Sequence, residues 1–83
     1  MAVTVLYFAW VRERIGRPKE TIEFAGSTVT DLVELLCAKE ERYAAAFSDI
    51  SSLRVAVNQD LVDFGAPLKD GSEVAFFPPM TGG

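Results

Sequence analysis

The chain has no histidine and a single cysteine, Cys37. Without histidine it lacks the commonest metal ligand and the usual general base near neutral pH, so most small-enzyme chemistries fall away. One cysteine can form neither an internal disulfide nor a thiolate metal site, and it is compatible with a reducing compartment. Cations are also scarce: 8 Lys and Arg stand against 12 Asp and Glu, a net charge of −4. Nucleic acid is bound through a cation surplus that releases counterions, so that partner class is excluded and basic proteins are favoured. No apolar run approaches the roughly 20 residues that span a bilayer. The opening MAVTVLYFAW has no basic leader and no small-residue cleavage site, and Arg12 soon interrupts it, so it reads as a strand and not as a signal peptide. A soluble, cytoplasmic chain with no membrane contact is expected.

What is present is an ordinary globular composition, 49% apolar and 24% charged over 83 residues. A chain of this size buries about 60% of its unfolded surface, enough for one core. Val3–Ala9 is β-branched and aromatic, a strand whose near-continuous apolar character suggests cover on both faces. AWVRERIG places Val11 and Ile15 four apart and stops at Gly16, with Pro18 beyond, a short helical turn. KETIEF alternates Lys19, Thr21 and Glu23 against Glu20, Ile22 and Phe24 and reads as a second strand, paired with the first. STVTDLVELLCAKEE carries an apolar stripe at helical spacing, Val29, Leu32, Val33, Leu36 and Cys37, behind a capping box of Thr28 and Asp31. ERYAAAF continues that helix or begins a second, with Tyr43 and Phe47 on one side. Leu53–Asn58 is a strand; a loop, a short edge segment and the turn KDGS lead to a last strand at Glu73–Phe77. Pro78 and Pro79 cannot donate to a ladder, so the sheet ends there.

Strand, strand, helix, strand, strand is the order of the ubiquitin-like β-grasp, an α+β fold with one main helix on one face of a mixed sheet. In it the first and last strands lie parallel at the centre. A ferredoxin-like split also mixes strands and helices, but it needs a second long helix that is weak here. The β-grasp divides the chain into a domain at 1–77 and a flexible tail at 78–83. Gly82 and Gly83 can thread a slot that any side chain would block, and the prolines hold that end extended. A terminal carboxylate activated by adenylation can accept a nucleophile and carry cargo. A bare Gly-Gly end is equally consistent with an idle terminus.

DGSEVAFFPPMTGG at the end, VAVNQDLVDFGAPLKDG before it and LYFAWVRERIG near the start resemble the small subunits of molybdopterin synthase, the sulfur carriers of MoaD type. The similarity covers nearly the whole chain and is weakest through KEERYAAAFSDISS. It implies that an E1-like enzyme adenylates Gly83 with ATP, and that a persulfide donor converts the adenylate to a thiocarboxylate. The tail then enters the large synthase subunit and gives sulfur to cyclic pyranopterin monophosphate, forming the molybdopterin dithiolene. Catalytic side chains would sit on the large subunit. This chain would bind no cofactor and would join a heterotetramer of two carriers and two large subunits.

The same resemblance marks Phe8, Arg12, Leu61, Phe77, Pro78, Pro79, Met80 and Thr81 as partner-binding, beside Gly82 and Gly83 as the reacting end. Neighbouring strand residues face opposite ways, so Phe76 and Phe77 cannot both enter the core. Phe77 is expected on the open face with Phe8 of the first strand and Leu61 of the loop; the alternative makes all three ordinary core. Arg12 is a fork for a partner's carboxylate or carbonyls, or a solvated surface residue. Cys37 lies on the apolar stripe and reads as a buried small hydrophobe. Glu13, Glu40 and Glu41 read as solvated helix charges, and Asp70 and Gly71 as turn residues. Met80 and Ser72 depart from the family pattern, which more often has a β-branched residue and Asp. Other readings are a thiamine-pathway carrier, a protein modifier joined to lysines through Gly83, and a binding module with an inert tail.

Overall fold

The computed structural model describes residues 1–79. Strands β1 (Ala2–Tyr7), β2 (Lys19–Glu23), β3 (Arg54–Val57), β4 (Asp60–Val62) and β5 (Glu73–Phe77) form one mixed sheet in the order β2-β1-β5-β3-β4. β1 and β5 are central and parallel, and the remaining pairs are antiparallel. Three helices, α1 (Ala9–Ile15), α2 (Val29–Lys39) and α3 (Glu41–Ala46), and a 3₁₀ turn at Ile50–Ser52 complete the fold. This is the expected β-grasp.

Each element follows from local chemistry. In α2, Val29, Leu32, Val33 and Leu36 are buried on one face. The capping box closes as the sequence suggests: Thr28 Oγ1 accepts from the Asp31 amide at 3.2 Å, and Asp31 accepts from the Thr28 amide at 3.1 Å. The same carboxylate also accepts from the Ser27 amide, and these backbone bonds hold it below the usual aspartate range. α1 is only seven residues long, too short to persist alone, and buried Val11 and Ile15 hold it in place. It ends at Gly16, whose φ of 89° allows its amide to reach the Arg12 carbonyl at 2.8 Å.

The sheet differs from the sequence reading in three places. β1 is covered by helices on one face only: Val3, Val5 and Tyr7 are buried, while Ala2, Thr4 and Leu6 are half-buried. The apolar run therefore reflects a half-covered strand, and it stops at Tyr7, because Ala9 already belongs to α1. β3 is shorter at both ends than Leu53–Asn58, since Asn58 and Gln59 take positive φ in the turn to β4. Leu61 lies within β4 and not in a loop. The ambiguity at ERYAAAF resolves into a separate helix: Glu40 is extended, with φ −150° and ψ 149°, and reorients the chain so that Tyr43, Ala46 and Phe47 are buried.

The turn before β5 is tied to the start of β1. The Gly71 amide donates to the Ala2 carbonyl at 2.8 Å, the Ala2 amide donates to Asp70 Oδ1 at 2.8 Å, and buried Ser72 accepts from the Lys69 amide. These bonds set the register of the two parallel strands.

Candidate functional site

The register of the sheet defines two faces. On the helix side, Tyr7, Phe76, Val55 and Val62 form one row across four strands. Phe76 is fully buried and packs edge-on against Phe47 with centroids 4.9 Å apart, with Tyr7 and Phe64 stacked beside it at 6.3 Å. On the open side the matching row is Leu6, Ala75, Ala56 and Leu61. Two alanines between two leucines leave a shallow apolar trough.

The next open row holds Phe77, which pairs with Arg54. Phe8 caps α1 one residue past β1; its backbone is still extended and its amide donates to the Phe76 carbonyl at 3.1 Å. Strand alternation therefore carries through Phe8 and turns its ring to the open side, away from Tyr7. Ala9 then adopts φ 53°, a left-handed conformation that costs an L-residue about 1–2 kcal/mol, and bends the chain back into α1. Phe8 is 46% exposed and Leu61 69%, while Phe77 is half-buried. Exposed apolar side chains on one sheet face make that face a candidate docking surface.

Arg12 is exposed on α1, between buried Val11 and Ile15. Pro78 and Pro79 are half-buried just past β5. Met80, Thr81, Gly82 and Gly83 lie outside the described residues. The candidate site is thus a half-apolar sheet face beside β5, and among the described residues no catalytic cluster lies around it. Cys37 is half-buried, its thiol directed to the Tyr43 carbonyl at 3.9 Å, and burial pushes its pKa up. A protonated thiol in that position packs and does not attack.

Sequence reasoning passed over one cluster. Glu20 lies on the row of Ile22 and Phe24, and its side chain is only 9% exposed. Its carboxylate accepts from the hydroxyls of Tyr7, at 2.8 Å, and Tyr43, and faces Arg17 at 3.1 Å and Lys39 at 4.0 Å. Burial works against the charge, but the bonds from Tyr43 and Tyr7 and the charges of Arg17 and Lys39 outweigh it and hold this carboxyl below its ordinary range. Burial and the same carboxylate push the Tyr43 hydroxyl up to about 12. The available signal was a charged residue at a core-facing position of the alternation, which requires partners. The cluster joins β2, β1, α2 and α3 and lies on the helix side, away from the trough.

Comparison with known proteins agrees with this architecture. The Escherichia coli molybdopterin synthase sulfur carrier subunit is 47% identical over 81 residues, covering 98% of this chain and 99% of its own. The solution structure of small archaeal modifier protein 1 from Methanosarcina acetivorans superposes with a TM-score of 0.79 at 26% identity, over 99% of this chain and 96% of its own. A chain from the complex of subunits 1 and 2 of molybdopterin-converting factor from Helicobacter pylori does so with a TM-score of 0.69 at 25% identity, over the full length of both. The profile of the ThiS family matches residues 5–83, and with a relative this similar along its whole length, the chain belongs to that family.

Proposed function

We propose that this protein is the sulfur carrier subunit of a molybdopterin synthase. The observation that carries the reading is the 47% identity to the Escherichia coli carrier over almost the full length of both chains. The open apolar face beside the root of the tail supports it, because a carrier must dock before its end can react.

The chemistry takes place at the carboxylate of Gly83. An E1-like enzyme joins it to the AMP of ATP and releases pyrophosphate. The outer sulfur of a persulfide attacks the acyl carbon and expels AMP, and a second thiol then takes the inner sulfur, leaving a thiocarboxylate. Inside the large subunit that sulfur is transferred to cyclic pyranopterin monophosphate, and water returns Gly83 to a carboxylate. Two such deliveries complete the dithiolene. This chain supplies the sulfur-bearing end, the slender Gly82–Gly83 approach and the docking face formed by Phe8, Leu61 and Phe77, with Arg12 and Pro78–Thr81 along the route. The side chains that move protons belong to the large subunit.

Intact-mass measurement of the carrier from cells that contain the activating enzyme tests the reading. It should show one terminal oxygen replaced by sulfur, and deletion of Gly83 should abolish that change. A carboxylate left unmodified under all conditions would overturn it. The likeness to small archaeal modifier protein 1 favours a second use, conjugation of Gly83 to lysines of other proteins. Branched peptides ending in this chain's last residues would reveal it.

A further inference from the structure

Beneath the β4 edge lies a second apolar feature that the docking face does not include. A cavity of about 700 Å³ is walled by Ile50, Leu53, Val55, Val62 and Phe64, with Leu61 at its rim. Ile50 is 46% exposed, and it and Leu61 are two of the four large hydrophobic residues that face solvent among the described residues. β4 is a three-residue edge strand, and none of the described residues covers it.

Two residues belong both to this cavity and to the open face. Leu61 pairs with Ala56 in the trough and also lines the cavity, and Arg54 pairs with Phe77 and does the same. A partner seated on the open face therefore ends its contact in the middle of Leu61 unless it continues around the edge. Charge narrows what can enter. Asp63 lines the cavity, and Asp49 and Asp60 adjoin Ile50 and Leu61 in the chain. The nearby cation, Arg54, turns its guanidinium onto its own backbone, donating to the carbonyls of Leu53 at 2.8 Å and Ser51 at 3.3 Å. Around an apolar interior, the residues that line or adjoin the mouth carry three carboxylates against the one guanidinium of Arg54.

We propose that the protein covering the open face also reaches around the β4 edge and sets an apolar side chain, flanked by a lysine or arginine, into this cavity. The proposal rests on the docking reading above, with the large synthase subunit as that protein. A second copy of this chain is a poorer occupant, since its net charge of −4 would meet the same acidic rim.

Calorimetric titration of the full-length carrier with the large subunit tests it, with AMP release by the activating enzyme and sedimentation of the carrier alone run alongside. Ile50→Lys should weaken binding to the large subunit at least about tenfold. Ile50→Ala, a gentler cut that keeps the fold if the lysine does not, should weaken it about threefold. Asp63→Asn keeps an oxygen for its bond from the Gly65 amide but loses the charge, and should slow association several-fold at low ionic strength. If both Ile50 variants bind like the wild type while Leu61→Lys does not, the cavity is unused and the docking reading survives. If Leu61→Lys also binds like the wild type, the docking reading falls and takes this proposal with it. A loss confined to the activating enzyme, or self-association that Ile50→Lys abolishes, would give the cavity a different occupant and overturn the assignment.

Discussion

The two faces of this sheet are built from the same strands, one residue out of step, and they are put to different uses. On one, Tyr7, Phe76 and Val55 are fully buried, with Val62 half-buried at the edge. On the other, Leu6, Ala75, Ala56 and Leu61 place small side chains at the centre and large ones at the rim, with none of the described helices above. The covered face supplies stability. The open face leaves apolar side chains within reach of solvent, Leu61 most of all at 69% exposed, and the docking reading rests on them. Alternation alone makes this division possible, because neighbouring residues can be selected independently.

The strongest test of the contrast is the neighbouring pair of phenylalanines. Phe76→Ala should cost about 3–5 kcal/mol in urea unfolding, the usual range for emptying an aromatic site in a packed core. Phe77→Ala should cost a small fraction of that, and equal losses would show that the faces are not distinct. Next in size, Glu20→Gln should cost about 1.5–3 kcal/mol, because it removes the charge that the Tyr7 and Tyr43 hydroxyls bond to. Its sign with pH is fixed. A carboxyl whose folded pKa lies below its unfolded value stabilises fully above the unfolded pKa and loses that contribution as pH falls through the folded one. Acid titration should therefore weaken the wild type more than Glu20→Gln, and parallel curves would remove the charge from the account. On the open face, Leu61→Lys should leave the melting temperature in place and weaken binding to the large subunit about tenfold, close to 1.4 kcal/mol. The smallest effect is expected where the faces meet: Ala9→Gly should gain about 0.5–1 kcal/mol by relieving the left-handed backbone. A loss there would mean that the extra unfolded-chain freedom of glycine outweighs the strain relieved.

Much of this was legible in the residues. The stripe and capping box of α2, the glycine stop of α1 and the proline stop of β5 are local signals, and the structure follows each of them. The break between α2 and α3 was not legible, because no glycine or proline marks it. Glu40 is extended there while Tyr43 is drawn to Glu20, a partner 23 residues away in sequence. The cover on β1 was misjudged for a related reason, since an apolar residue awaiting a visitor and one beneath a helix look alike in a single sequence. Phe8 and Leu61 were nominated through family resemblance, and the structure adds their exposure and the strand that carries Leu61. The cavity under β4 had no sequence signal, because its walls come from the 3₁₀ turn, β3 and β4 together.

The parallel pairing of β1 and β5 also has a mechanical side. A pull along β5 would run parallel to its ladders with β1 and β3. Their hydrogen bonds are loaded together, in shear, and cannot be unzipped one at a time. Force applied along the last strand would therefore meet the whole ladder at once, and the domain would resist being unravelled from that end.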